Sequence, residues 1–257
     1  MAKMAKTKRY IFFGAMILTV LILFCKTNTV MADPLPAIDL QIRNTDDPVG
    51  VVDTLKMLTL LTILSLAPAI LIMMTSFTRI VIVLGFVRNG LGTQQIPPNQ
   101  VLIGLALMLT FFTMAPTYEK INTEAITPYL AGEMSQTDAF EKGSAPLKDF
   151  MLRQTREKDL NLFISMSGQE QPANREELSM GTLVPAFTIS ELKTAFEMGF
   201  YIFLPFLVID IVVASTLMSM GMFMISPIMI SLPFKILLFV MTDGWYLIVK
   251  SLLESYR

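Results

Sequence analysis

The chain has 257 residues, of which 53% are hydrophobic and only 16% charged, and its mean hydropathy is +0.60. Soluble domains carry roughly 25% charged residues, so much of this chain is not built to face water, and a net charge of −1 with a pI near 5.6 argues against a nucleic-acid partner. Histidine is absent and Cys25 is the single cysteine, which excludes Ser-His-Asp and Cys-His triads, zinc-ribbon sites and internal disulfides; no Asp/Glu cluster has metal-ligand spacing, so no catalytic residue, cofactor or metal is expected and the chain reads as a non-enzyme.

Residues 1–32 have the layout of a secretory signal peptide. Lys3, Lys6, Lys8 and Arg9 precede an uncharged apolar run over 10–24, and Val30, Met31 and Ala32 precede Asp33 and Pro34. Cleavage after Ala32 is expected, with an uncleaved anchor helix as the alternative. Cleavage would remove Cys25 and leave the new N-terminus outside the cytoplasm. A polar lead occupies 33–50.

Four imperfect apolar stretches follow, giving an all-α, membrane-type chain with about four kinked helices. The first covers 51–87 and is interrupted by Lys56, Pro68 and Arg79. The second, 99–116, is free of charge and just long enough to span. The third, 198–224, contains Pro205 and Asp210, and the fourth, 227–249, contains Pro233, Lys235 and Asp243. A charge near the centre of a lipid-facing helix costs at least ~2.5 kcal/mol, and lipid cannot satisfy the carbonyls that proline frees. Both costs vanish if the helices pack against other protein, which points to an assembly of several chains.

The order of these stretches divides the chain into a helical hairpin over 51–120 with a Gly/Pro turn at 89–99, a polar helical block over 121–190, and a C-terminal hairpin over 191–257. The connector 75–98 carries Arg79 and Arg88 and no acid, which favours the cytoplasmic side. Residues 119–190 hold eleven acids and seven bases, fitting a periplasmic block. Within it, Ser144 suits a helix cap ahead of Pro146, Leu147, Phe150 and Met151 share one apolar face, and Thr188 with Glu191 suits a capping box opening the third apolar helix.

Three features are candidate sites. Asp210, an acid inside an apolar helix, is either an ion or proton site or a carboxylate partnered by Lys235 or Arg79. Met218, Met220, Met222 and Met224 alternate beside Gly221, either as helix packing or as a deformable apolar ring. The segment from Arg88 and Asn89 through Gly90, Gly92, Gln94 and Gln95 to Pro97 and Pro98 is a turn; it is either a plain connector or a functional motif, and it lacks the lysine and spacing of a phosphate loop.

The string from Thr75-Ser76-Phe77-Thr78-Arg79 through Arg88-Asn89-Gly90-Leu91-Gly92-Thr93-Gln94-Gln95-Ile96-Pro97-Pro98-Asn99-Gln100 strongly resembles the FliP family. So do Met220-Gly221-Met222-Phe223-Met224, Leu232-Pro233-Phe234-Lys235 and Asp243-Gly244-Trp245. Related injectisome proteins share the Gly-Thr-Gln-Gln-x-Pro-Pro-Asn core, while Thr78-Arg79, Gly90 and the signal peptide look flagellar. The resemblance implies a pore-forming subunit of the flagellar type III export gate, in the inner membrane within the basal body. It implies a pentameric homo-oligomer joined with FliQ and FliR in a helical channel, alongside other gate components, passing unfolded flagellar proteins. It further implies that Met222, Phe223 and Met224 form a pore gasket, Phe223 departing from an all-methionine version. The alternative is a proton-coupled small-solute transporter using Asp210, although such carriers usually have paired repeats and more spans.

Overall fold

The computed structural model describes residues 48–93, 95–167 and 178–256. The expected signal peptide with Cys25 and Ala32, the polar lead to residue 47, and Gln94 lie outside the described residues. The chain divides into two compact units, 1–58 and 59–257. Among the described residues the first contributes only the opening turns of a helix, and everything below concerns the second.

Every regular element among the described residues is helical. The first apolar stretch is two helices, α1 (Pro48–Met73) and α2 (Phe77–Leu91). Leu60, Leu61 and Leu64 of α1 are exposed. Helix α2 buries Ile80, Val83, Leu84 and Val87, the i, i+3, i+4, i+7 set of one helix face. It ends where Gly92 takes φ 74 and its N–H bonds the Asn89 carbonyl at 3.1 Å, the left-handed stop that glycine adopts without a Cβ clash. Pro98 precedes α3 (Asn99–Ile121), which continues through a π-helical turn (Asn122–Ile126) into α4 (Thr127–Leu130). Then come α5 (Gln136–Gln154), α6 (Glu157–Met166), the 40-residue α7 (Met180–Ser219), α8 (Pro227–Met241) and α9 (Gly244–Glu254).

Among the described residues two runs, Asn99–Leu130 and Met180–Ser219, are long and apolar enough to cross a membrane, and α8 with α9, bent by 63°, make a third if counted as one broken span. Helices α1 and α2 divide the first apolar stretch at 74–76, and the fourth is broken at 242–243. At 1.5 Å per residue α7 is about 60 Å long, twice a hydrocarbon core of about 30 Å. Its buried residues, from Thr182 to Phe206, occupy the first two-thirds.

Two apolar clusters hold the unit together. One gathers α2, α3, α7, α8 and α9 around Val83, Leu84, Ala106, Ala195, Phe239 and Leu252. The other joins α3, α5, α6 and the start of α7 around Met114, Phe150, Met151, Leu160, Leu183 and Phe187. Phe150 and Phe187 meet edge to face at 6.0 Å, and Leu147 packs on the same cluster.

Several local expectations are corrected. The connector 75–98 is mostly the helix α2. Arg79 sits at its start, against Gln154 and Ser255, while Arg88 sits at its end. Arg79 is therefore buried in the fold and is not a loop charge. Ser144 caps nothing: α5 starts at Gln136, capped by Ser135, whose hydroxyl accepts from the Asp138 N–H at 3.2 Å, while Ser144 donates to the Glu141 carbonyl from mid-helix. Thr188 and Glu191 lie inside α7, where Thr188 donates to the Val184 carbonyl at 2.8 Å. The boundary drawn at 190/191 therefore cuts a continuous helix that begins at Met180.

Candidate functional site

Helix α7 ends in a Schellman arrangement. Gly221 takes φ 74, its N–H bonds the Met218 carbonyl at 3.1 Å, and the Met222 N–H bonds the Leu217 carbonyl at 3.0 Å. The chain is thereby turned out of the helix, and Met220, Met222, Phe223, Met224 and Ile225 are all exposed, Met224 completely at 101%. Pro227, at the first turn of α8, starts the return limb. An apolar loop thus crowns a hairpin of two apolar helices. Within the chain these methionines pack no core.

Below the loop, the hairpin is tied by a polar cluster. Asp210 of α7 accepts from Lys235 Nζ at 2.6 Å on one oxygen and from Ser231 Oγ at 2.6 Å on the other. Lys235 and Ser231 are buried, whereas the Asp210 side chain is 27% exposed. The tie lies nine residues before the end of α7 and eight after the start of α8, about 13 Å from the loop on each limb. Asp210 and Lys235 are brought together; Arg79 does not join them.

Arg79 instead forms a second buried pair, with Glu191. Its Nε and Nη2 both donate to the Glu191 carboxylate, the former at 3.0 Å, and the two side chains are 3% and 0% exposed. Nη2 also donates to Gln154 Oε1 at 3.1 Å. This fork-to-fork geometry satisfies charges that would be costly to bury alone. Sequence reasoning missed the pair because Glu191 was assigned to a helix cap. The available signal was on Arg79, an isolated charge in Phe77-Thr78-Arg79-Ile80-Val81; Glu191, with Lys193 two residues on, carries no such signal.

The turn between α2 and α3 rests on both limbs of the hairpin. A Cβ on Gly90 would stand 2.7 Å from the Phe206 ring, so this helical glycine serves close packing, and only Gly92 uses left-handed freedom. A Cβ on Gly92 would lie 3.7 Å from Lys235 Nζ. Arg88 donates through Nη1 to Asn99 Oδ1 across the turn. Asn89, Gln95 and Pro98 are exposed, and the bond between Ile96 and Pro97 is cis.

The FliP family model matches residues 60–252. The chain belongs to the FliP family. It is 60% identical over 217 residues to the flagellar biosynthetic protein FliP of Bacillus subtilis, covering 84% of this chain and 98% of that one. The protein of the same name from Aquifex aeolicus is 51% identical over 210 residues, covering 81% and 88%. That from Caulobacter vibrioides is 55% identical over 198 residues, covering 77% and 74%. The FliP match takes in the turn, both ion pairs and the methionine loop. Among the described residues no group of three or more His, Cys, Asp or Glu could hold a metal ion.

Proposed function

We propose that this chain is a pore-forming subunit of the flagellar type III export gate in the bacterial inner membrane, and that its 220–226 loop seals the passage. Family membership supports flagellar biosynthesis, since the relatives are flagellar biosynthetic proteins. The observation that carries the finer reading is the exposed apolar loop on a hairpin tied by Asp210, Ser231 and Lys235. Methionine side chains are flexible and apolar, so a ring of them would close around nothing or around a varied unfolded chain. Phe223 adds bulk to that seal at the cost of some compliance.

The exposed faces agree with a multi-chain assembly. Phe196, Phe200, Tyr201, Val208, Ile211 and Val212 of α7 are all exposed, and a stable chain does not leave so much apolar surface to water. In this reading several copies, five by the family resemblance, pack with FliQ and FliR, and lipid covers the rest. The α5–α6 block faces the periplasm, and an N-terminal signal peptide is removed. Unfolded flagellar proteins are the cargo.

The experiment is a conductance measurement on the complete gate. Replacing Met222, Phe223 and Met224 together by alanine is expected to leave assembly intact and make the resting gate leak ions. An assembled variant as tight as the unmodified gate would contradict the sealing role.

A further inference from the structure

Helix α9 is fastened at its two ends by unlike devices. At its start Asp243 takes φ 51 and ψ 52, the only positive φ outside glycine among the described residues. That left-handed conformation is tolerated by aspartate and strained relative to glycine. The next residue, Gly244, lies so close to Phe239 that a Cβ would stand 2.4 Å from its ring. Trp245 then meets Phe239 edge to face at 5.3 Å. These residues make the 63° bend between α8 and α9.

Beyond the far end of α9, Ser255 and Tyr256 close over the buried Arg79–Glu191 pair. Arg79 Nη1 donates to the Ser255 carbonyl at 3.1 Å and to its hydroxyl at 3.0 Å. The Tyr256 hydroxyl is 2.8 Å from Glu191 Oε2 and 3.2 Å from the Ser76 carbonyl. The Arg79 guanidinium stands 4.0 Å above the Tyr256 ring, which also stacks on Phe150 at 6.1 Å. Between the two devices α9 turns only Ile248 and Leu252 deeply inward, while Tyr246 and Leu247 stay exposed.

We propose that α9 is a hinged strap, pivoting at Asp243 and Gly244 and latched by Ser255 and Tyr256 over the Arg79–Glu191 pair. Closing supplies the pair with a carbonyl, two hydroxyls and an aromatic face at once. Opening withdraws all of them and leaves Gln154 as the remaining side-chain partner. The contacts are made or lost together, so the strap has two positions rather than a graded range. Tyr256 packs against both apolar clusters, so the latch also fixes the α5–α6 block to the hairpin that carries the loop. The family match ends at residue 252, before both latch residues, and the inference stands apart from the sealing role.

Trp245, the sole tryptophan of the chain, reports on the pivot. Acrylamide quenching of its fluorescence and hydrogen exchange of α9 would be measured on the purified full chain. Tyr256→Phe keeps the ring and deletes the hydroxyl. It is expected to raise exchange in α9 roughly tenfold, the ratio that follows from losing a hydrogen bond to a charged group, and to increase Trp245 quenching. Tyr256→Ala goes further in both. Lys250→Ala, which breaks an exposed pair with Glu254 on the same helix, changes neither. The strap is overturned if Tyr256→Ala leaves both readouts unchanged, or if loosening spreads equally through α2 and α7. Where Tyr256→Ala does not accumulate, Tyr256→Phe decides on the same readouts.

Discussion

Arg79 and Glu191 are 112 positions apart in the chain, yet they form the most buried ion pair among the described residues. Removing one member of such a pair leaves an uncompensated charge away from water and costs about 3–5 kcal/mol, whereas replacing both by apolar residues of like volume is often neutral or better. Glu191→Ala and Arg79→Ala are therefore each expected to lose about that much stability in chemical denaturation of the detergent-solubilised chain. The double variant Arg79→Met/Glu191→Leu should regain most of it, and equal losses in single and double variants would contradict the pairing. Asp210 differs in degree: its carboxylate is partly exposed, and both oxygens are occupied by Ser231 and Lys235. An acid inside an apolar run was plain in the sequence. Its partner was one of two named residues, and only three-dimensional proximity selects Lys235.

At the scale of elements, the apolar runs are visible in the sequence and their ends are not. The break at 74–76 carries neither proline nor glycine, and its only local signal is Thr75-Ser76, residue types that favour a helix start, with the Thr75 hydroxyl accepting the Phe77 N–H at 3.5 Å. Helix α7 begins well before its apolar run, because its first turns pack as an amphipathic segment on α5 and α6. Part of that docking is polar. Asp159 of α6 accepts from Ser190 Oγ at 2.6 Å and from Arg156 Nε at 3.0 Å, and the same Ser190 oxygen accepts the Arg156 N–H. Burial pushes the Asp159 carboxyl up, but the hydrogen bonds from Ser190 and Arg156 and the charges of Arg156 and Lys193 outweigh it and hold the group below its ordinary value. With the folded value depressed, the unfolded chain takes up its proton first as pH falls. The stabilisation is complete above the unfolded value of about 3.9 and is lost as pH falls through the folded one. Hydrogen exchange of α6 is thus expected to be flat from pH 7 to about 5, once corrected for intrinsic rates, and to quicken below about 4. Asp159→Asn should remove that acid dependence, and an unchanged profile in the variant would contradict the assignment.

For the molecule as a whole, helical class and membrane character follow from composition, and the family follows from long strings around the turn and the loop. The count of spans does not, because α7 is far longer than a bilayer is thick and the last two helices bend sharply at Asp243. The sequence names Arg79 as a possible partner of Asp210, and only the fold shows that its partner is Glu191. The exposed methionines are the reverse case. Their alternation was legible, and the Schellman turn at Gly221 supplies the reason they leave the helix. The central claim is that these loops meet one another around a shared passage, and cysteine cross-linking at Met224 tests it most directly. With Cys25 replaced by serine, Met224→Cys in the membrane-embedded gate is expected to yield ladders of cross-linked copies of this chain. Efficient labelling of the same cysteine from the lipid phase, with no cross-linked dimer, would place the loop outside any common pore and contradict the account.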